Sequence, residues 1–239
     1  MITPPKAFEQ LAAEIVECER CPRLREWCTQ VALTKRRAYQ AEMYWGRPVP
    51  GFGDPSARLL VVGLAPGAHG ANRTGRLFTG DSSGDFLYSA LHRAGFASQA
   101  TSIARDDGMV LTDAYITAVC RCAPPDNRPS SEEIGACLPF LAQETALLRQ
   151  LHVVVALGRI AFDAALRLFE PLRSSPNFAH GVTCEVRPRC PAVFETEAPA
   201  PGGRLWLIAS YHPSRQNTQT GRLTPAMFDR VWELARSLL

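Results

Sequence analysis

Arg58-Leu59-Leu60-Val61-Val62 runs directly into Gly63-Leu64-Ala65-Pro66-Gly67-Ala68-His69-Gly70-Ala71-Asn72-Arg73-Thr74-Gly75-Arg76-Leu77-Phe78-Thr79-Gly80-Asp81. The reading of this junction decides the fold. The first five residues are short, rich in branched side chains and apolar once past the arginine, the pattern of a strand buried on both faces of a parallel sheet. A loop leaving the carboxyl end of such a strand is where open α/β sheets bind their ligands. Its glycines let the backbone approach a ligand and offer bare N–H groups to an anionic or carbonyl oxygen. Phosphate binding of the P-loop kind is disfavoured, because no Gly-Lys-Ser/Thr follows. Within the loop, Phe78 is the one aromatic residue and Asp81 the one carboxylate.

Working outward, three more apolar runs read as strands: 114–119, 153–157 and 205–209. Helical patterns follow at about 83–94, from Ser130 or Ser131 (with Glu132 and Glu133 in the favoured first turn), at 160–169 and from about Pro225. Upstream, 4–24 reads as one helix and 29–57 as polar and turn-rich chain. The proline-rich stretch 171–203 reads as loop. Alternation of strand and helix through four rounds predicts a parallel sheet with helices on both faces. All strands then empty their following loops at one edge, which would bring Asp81, Asn127 and His212 together.

The chain has 239 residues, 46% hydrophobic and 21% charged, with a formal net charge of +3. These values describe an ordinary globular chain of one or at most two domains. No apolar run approaches the roughly 20 residues that span a bilayer, and the start lacks a signal-peptide pattern, so a cytoplasmic location without membrane attachment is expected. Nearly all the basic residues are arginine, with Lys6 and Lys35 the only lysines. Guanidinium groups suit phosphate contacts and permit a polyanionic partner. Eight cysteines in such a chain point to metal before disulfide. Cys18-Glu19-Arg20-Cys21-Pro22 is one pair, and Cys122 and Cys137 are a second. Four thiolates from two segments could hold zinc or an iron–sulfur cluster, and Cys28, Cys120, Cys184 and Cys190 leave the choice of ligands open.

One carboxylate and one histidine on separate loops, with backbone amides and a stacking aromatic, are the parts needed to expel an anionic leaving group while water attacks the other side. Asp81 can orient that water and offset positive charge on a sugar, and His212 can hydrogen-bond the departing oxygen. Past the histidine, Ser214, Arg215, Gln216 and Asn217 lead to Arg222 and Leu223 in a polar loop. Such a loop can track phosphates and press the leucine into a base stack as an apolar wedge.

Gly63-Leu64-Ala65-Pro66-Gly67-Ala68-His69-Gly70 with Phe78-Thr79-Gly80-Asp81, and His212-Pro213-Ser214-Arg215-Gln216-Asn217, resemble the two signature motifs of the family 5, or type B, uracil-DNA glycosylases. The resemblance runs from about Cys18 to the last helix. It implies a three-layer α/β/α sandwich around a four-stranded, mainly parallel sheet, with residues 1–239 as one domain. It further implies hydrolysis of the N-glycosidic bond of deaminated bases, in double-stranded or single-stranded DNA, by a monomeric enzyme that starts base excision repair. A [4Fe–4S] cluster comes with it, on Cys18, Cys21, Cys122 and Cys137. Carried over in the same way, Asp81, Asn127 and His212 are catalytic, Phe78 stacks on the base, and the backbone near Gly70 and Ala71 grips it.

Related type A enzymes have an acidic residue where this chain has Ala68-His69, and an asparagine where it has Ala118. An alanine cannot read the edge of uracil, so the base pocket, with Ala68 and Ala118 in its wall, should also accept hypoxanthine and xanthine. Two rival readings are a metal-bound nucleic-acid binding module without chemistry and a hydrolase of small nucleotides.

Overall fold

The computed structural model describes residues 4–174, 176–189 and 204–239. The N-terminal pattern forms two helices, not one: α1 (Pro4–Val16) and α2 (Pro22–Thr34). The break falls at the first cysteine pair, where Cys21 stands just before α2 and Pro22 occupies its first turn, a position that needs no N–H. After β1 (Phe52–Gly53) and β2 (Leu59–Gly63), the glycine-rich loop contains one short turn of helix, α3 (Ala71–Thr74), and ends at α4 (Ser82–Arg93). Next come β3 (Ala114–Ala118), α5 (Ser131–Leu147), β4 (Val153–Leu157), α6 (Arg159–Leu168), β5 (Phe169–Pro171) and β6 (Thr183–Pro188). The chain closes with β7 (Leu205–Ser210), α7 (Arg215–Gln219) and α8 (Pro225–Ser237).

Among the described residues the sheet has seven strands in the order β1-β3-β2-β4-β7-β6-β5, a correction to the four expected. The four read from sequence, β3, β2, β4 and β7, are the parallel centre, and β1, β6 and β5 pair antiparallel at the edges. The edge strands escape the apolar-run criterion for a physical reason: β6 is only partly covered and carries Glu185 and Arg187 among its residues. Residues 183–188 of the stretch read as loop are therefore strand, while 190–203 lie outside the described residues, Cys190 among them.

The pleat explains why the central strands are apolar throughout. Leu59, Val61, Ile116, Val155 and Ile208 face one core with α4 and α8. Leu60, Val62, Tyr115, Val154 and Leu207 face the other with α1, α5 and α6. That is the α/β/α sandwich. β3 lies on one side of β2 and β4 on the other, so the chain reverses its winding there, and the loops after the carboxyl ends open around a crevice.

Candidate active site

A cleft of about 840 Å³ lies at that edge of the sheet. Its walls come from the loop after β2, which supplies Ala68, Gly70, Phe78 and Asp81; the turn after β3, which supplies Asn127; and the segment after β7, which supplies His212, Ser214, Arg215 and Gln216. Three connections far apart in sequence therefore do meet.

Asp81 is the N-cap of α4, its Oδ1 accepting from the N–H groups of Ser83 and Gly84, each at 3.0 Å. Its Oδ2 is turned toward the start of the loop: a Cβ on Gly70 would overlap it. The side chain is half-buried. Desolvation holds its carboxyl above the usual range against the two amide bonds, with Asp85 adding repulsion. The ring of Phe78 stacks against that of His212, centroids 5.8 Å apart and planes 29° off parallel. Phe78 has a left-handed backbone (φ 53°). Its carbonyl packs on the first turn of α4, where only a glycine fits, since a Cβ on Gly84 would overlap it. Burial pulls His212 down to about 4, so it is a neutral ring at neutral pH. Its carbonyl accepts from Asn217 Nδ2 at 2.8 Å, and Ser214 caps α7.

Arg73, 8% exposed, holds the loop shut. Nε donates to His69 O and Nη2 to Gly80 O, both at 2.8 Å, while Nη1 pairs with Glu42 and the guanidinium lies 4.0 Å from the Tyr39 ring centre. The segment around residues 36–44 is thereby drawn over one side of the cleft, and Arg36 and Tyr39 join its wall. His69, Asp126 and Arg128 also line it. No spacing or periodicity in the sequence marks these five as part of the cleft wall.

Several expected site residues stand elsewhere. Leu223 is fully buried in the core with α8 and not exposed as expected of a wedge; its N–H donates to Asn217 O at 3.0 Å. Arg222 lies against the Tyr211 ring, 4.6 Å from its centre. Asn217 is directed at His212. Ala71 and Ala118 are buried in the core beneath the cleft, and neither is part of its wall. Ala118 is paired with Gly63 across β3 and β2.

The thiols gather at a seam between α2 and α5. Cys18 ends the turn after α1, Cys21 starts α2, and Cys122 and Cys137 are buried. Burial pushes the Cys21 thiol up, with Cys137, Glu133 and Cys18 adding to it. Cys28 packs in one buried cluster with Cys122, and Cys120 in another with Cys137, so two thiols beyond the expected four enter the seam. The backbone N–H of Arg121 donates to Cys137 Sγ at 3.3 Å. Ser130 and Glu133 form a capping box at the start of α5, and Arg23 of α2 binds Glu133 through two bonds of 2.8 and 2.7 Å, fastening the two helices there. Among the described residues, no three His, Cys, Asp or Glu side chains are drawn together as a metal-binding group. None of the described helices is long and apolar enough to cross a membrane.

Residues 50–236 match the sequence model of the uracil DNA glycosylase superfamily. The chain is 50% identical over 230 residues to the type-5 uracil-DNA glycosylase of Thermus thermophilus, covering 96% of this chain and 97% of the relative. It is 47% identical over 235 residues to the type-5 uracil-DNA glycosylase of Mycobacterium leprae, covering 97% and 96%. A type-4 uracil-DNA glycosylase of Pyrobaculum aerophilum is more distant, 32% identical over 162 residues, covering 67% of this chain and 65% of that one.

Proposed function

The chain belongs to the uracil DNA glycosylase superfamily, and we propose that it cuts the N-glycosidic bond of uracil in DNA, a monofunctional hydrolysis that opens base excision repair. The observation that carries this is the meeting of Asp81, Phe78 and His212 in one cleft. A base inside the duplex is out of reach, so the nucleotide rotates out of the stack into the cleft, at a cost of about a few kcal/mol. Phe78 stacks on the extruded ring, a contact of about 1–3 kcal/mol. Asp81 Oδ2 faces the loop that cradles the base, orients water and offsets charge as the sugar acquires oxocarbenium character. His212, neutral through burial, donates a hydrogen bond to the base oxygen as negative charge gathers there. Asn127 stands on the adjoining wall, where its amide can hold the same water. Arg215 and Gln216, exposed on the first turn of α7, meet the DNA backbone at the rim.

The same cleft accepts hypoxanthine and xanthine, because Ala68, which lines it where the type A enzymes carry an acidic residue, offers no hydrogen bond to select the uracil edge. Duplex and single-stranded DNA are both substrates, and the protein acts as a monomer in the cytoplasm, where thiols stay reduced. Cys18, Cys21, Cys122 and Cys137 would hold a [4Fe–4S] cluster. Four soft thiolates from two segments suit iron–sulfur chemistry, and the backbone N–H on Cys137 Sγ is the kind of donor that stabilises a ligating sulfur. When bound, it would tie α2 to α5, leaving the hydrolysis to the cleft residues.

The test is alkali-labile strand cleavage after incubation with a duplex holding one uracil. An abasic site at the uracil is expected. Binding without cleavage would favour the non-catalytic module, and competition by free nucleotides would favour the small-nucleotide hydrolase. Visible absorbance of the purified protein, with four irons per chain, tests the cluster separately.

A further inference from the structure

His69 sits in the base-binding loop, lines the cleft, and has no role in the chemistry described above. Its Nδ1 lies 3.0 Å from the hydroxyl of Tyr44, and the two rings meet edge to face at 80°. Tyr44 is buried at 8% exposure, and its oxygen already accepts from the backbone N–H of Arg36 at 3.4 Å. An accepting hydroxyl has its own proton free to donate, so Tyr44 can donate to Nδ1, an arrangement that leaves the imidazole hydrogen on Nε2. Burial, with Arg36 and then Arg73 nearby, pulls the ring below its ordinary range and keeps it neutral. The carbonyl of the same residue is fastened by Arg73 at 2.8 Å, which fixes the backbone from which the ring projects.

We infer that His69 is a specificity-determining residue whose Nε2–H donates to the carbonyl oxygen that deamination creates on the extruded base, with Tyr44 as the positioning residue that sets the tautomer. The chemistry is common to two lesions. Deamination turns the amine at C4 of cytosine or at C6 of adenine into a carbonyl, giving uracil or hypoxanthine. A fixed donor pairs with the new oxygen and meets the original amine hydrogen to hydrogen. A donor that reads this one change separates uracil from cytosine and hypoxanthine from adenine, in a pyrimidine and a purine alike. This rests on the glycosylase reading of the same cleft.

The experiment compares the parent with His69→Ala, His69→Gln and Tyr44→Phe in single-turnover cleavage of uracil and hypoxanthine duplexes. Their affinity for a duplex holding a tetrahydrofuran abasic analogue, which has no base to read, is measured alongside. His69→Ala should slow cleavage of both lesions by about tenfold or more while abasic binding stays within about twofold, and His69→Gln, which keeps an N–H donor, should recover part of the rate. Nitrogen-15 NMR should show a single Nε2-protonated tautomer for His69 in the parent and a mixture in Tyr44→Phe, a change that loss of packing alone would not produce. Unchanged cleavage in His69→Ala, equal loss of abasic binding, or an Nδ1-protonated ring in the parent overturns the inference. Failure of the parent itself to cut uracil overturns the glycosylase reading instead.

Discussion

Replacing Asp81 by asparagine separates its two jobs. The N-cap depends on Oδ1, which accepts from Ser83 and Gly84 at 3.0 Å each. Asparagine keeps that oxygen and is about as good a cap as aspartate, whereas alanine would lose the cap at about 0.5–2 kcal/mol. What asparagine removes is the charge on Oδ2, the atom facing Gly70. Two small effects on folding then oppose one another. Loss of a negative charge at a helix N-terminus costs about 0.3–1 kcal/mol. Against this, desolvation raises the Asp81 pKa, so its ionised form disfavours the folded state. An acid with a raised folded-state pKa contributes stability at low pH that disappears as pH climbs through that value. At neutral pH the substitution relieves this penalty, and the melting temperature should hold or rise. Cleavage, by contrast, should fall by about 10²–10⁴, or about 3–5 kcal/mol of barrier, because the water loses its orienting carboxylate. The assay is single-turnover cleavage of a uracil duplex alongside calorimetry and duplex affinity. Cleavage within about tenfold of the parent would refute a role in activating water, and a large drop in melting temperature or in DNA affinity would make Asp81 a structural residue.

Gly70→Ala is expected to fold but to displace the Asp81 carboxylate, since the new Cβ overlaps Oδ2, and to slow single-turnover cleavage by about a hundredfold. His212 is pulled down to about 4 from 6.5, so the unfolded chain takes up a proton the folded chain refuses; stability should fall as pH drops from about 6.5 to about 4, and urea titrations of His212→Gln should lack that slope. Leu223→Ala should cost about 2–5 kcal/mol in urea unfolding through a core cavity, while Gln216→Ala should leave stability within about 0.5 kcal/mol and weaken binding to duplex DNA.

The centre of this fold is legible in sequence because burial on both faces removes every polar residue from β2, β4 and most of β3 and β7, and the apolar runs end within a residue of the strands. Edge strands carry no such signature: β6 is bonded to β7 on one side and to only three residues of β5 on the other, and its partly exposed residues remain polar. The meeting of Asp81, Asn127 and His212 follows from topology, since parallel strands release their loops at one end. Leu223 misleads because its polar neighbours hide the turn after α7 that points it inward. Tyr44 and His69 are 25 residues apart, and neither spacing nor periodicity signals that Arg73 draws their two segments together.

The left-handed backbone at Phe78 limits what variation the lineage can explore there. A non-glycine residue in that region carries about 1–2 kcal/mol, and a β-branched one considerably more, so valine, isoleucine and threonine are shut out by the main chain before any question of stacking arises. Glycine suits the backbone but gives up the ring, and the tightness against Gly84 prevents the turn from relaxing to a right-handed form. Descendants of this chain are left with unbranched planar side chains such as tyrosine or histidine as the nearest workable exchanges, so diversification of the lesions recognised is steered toward the rest of the cleft wall.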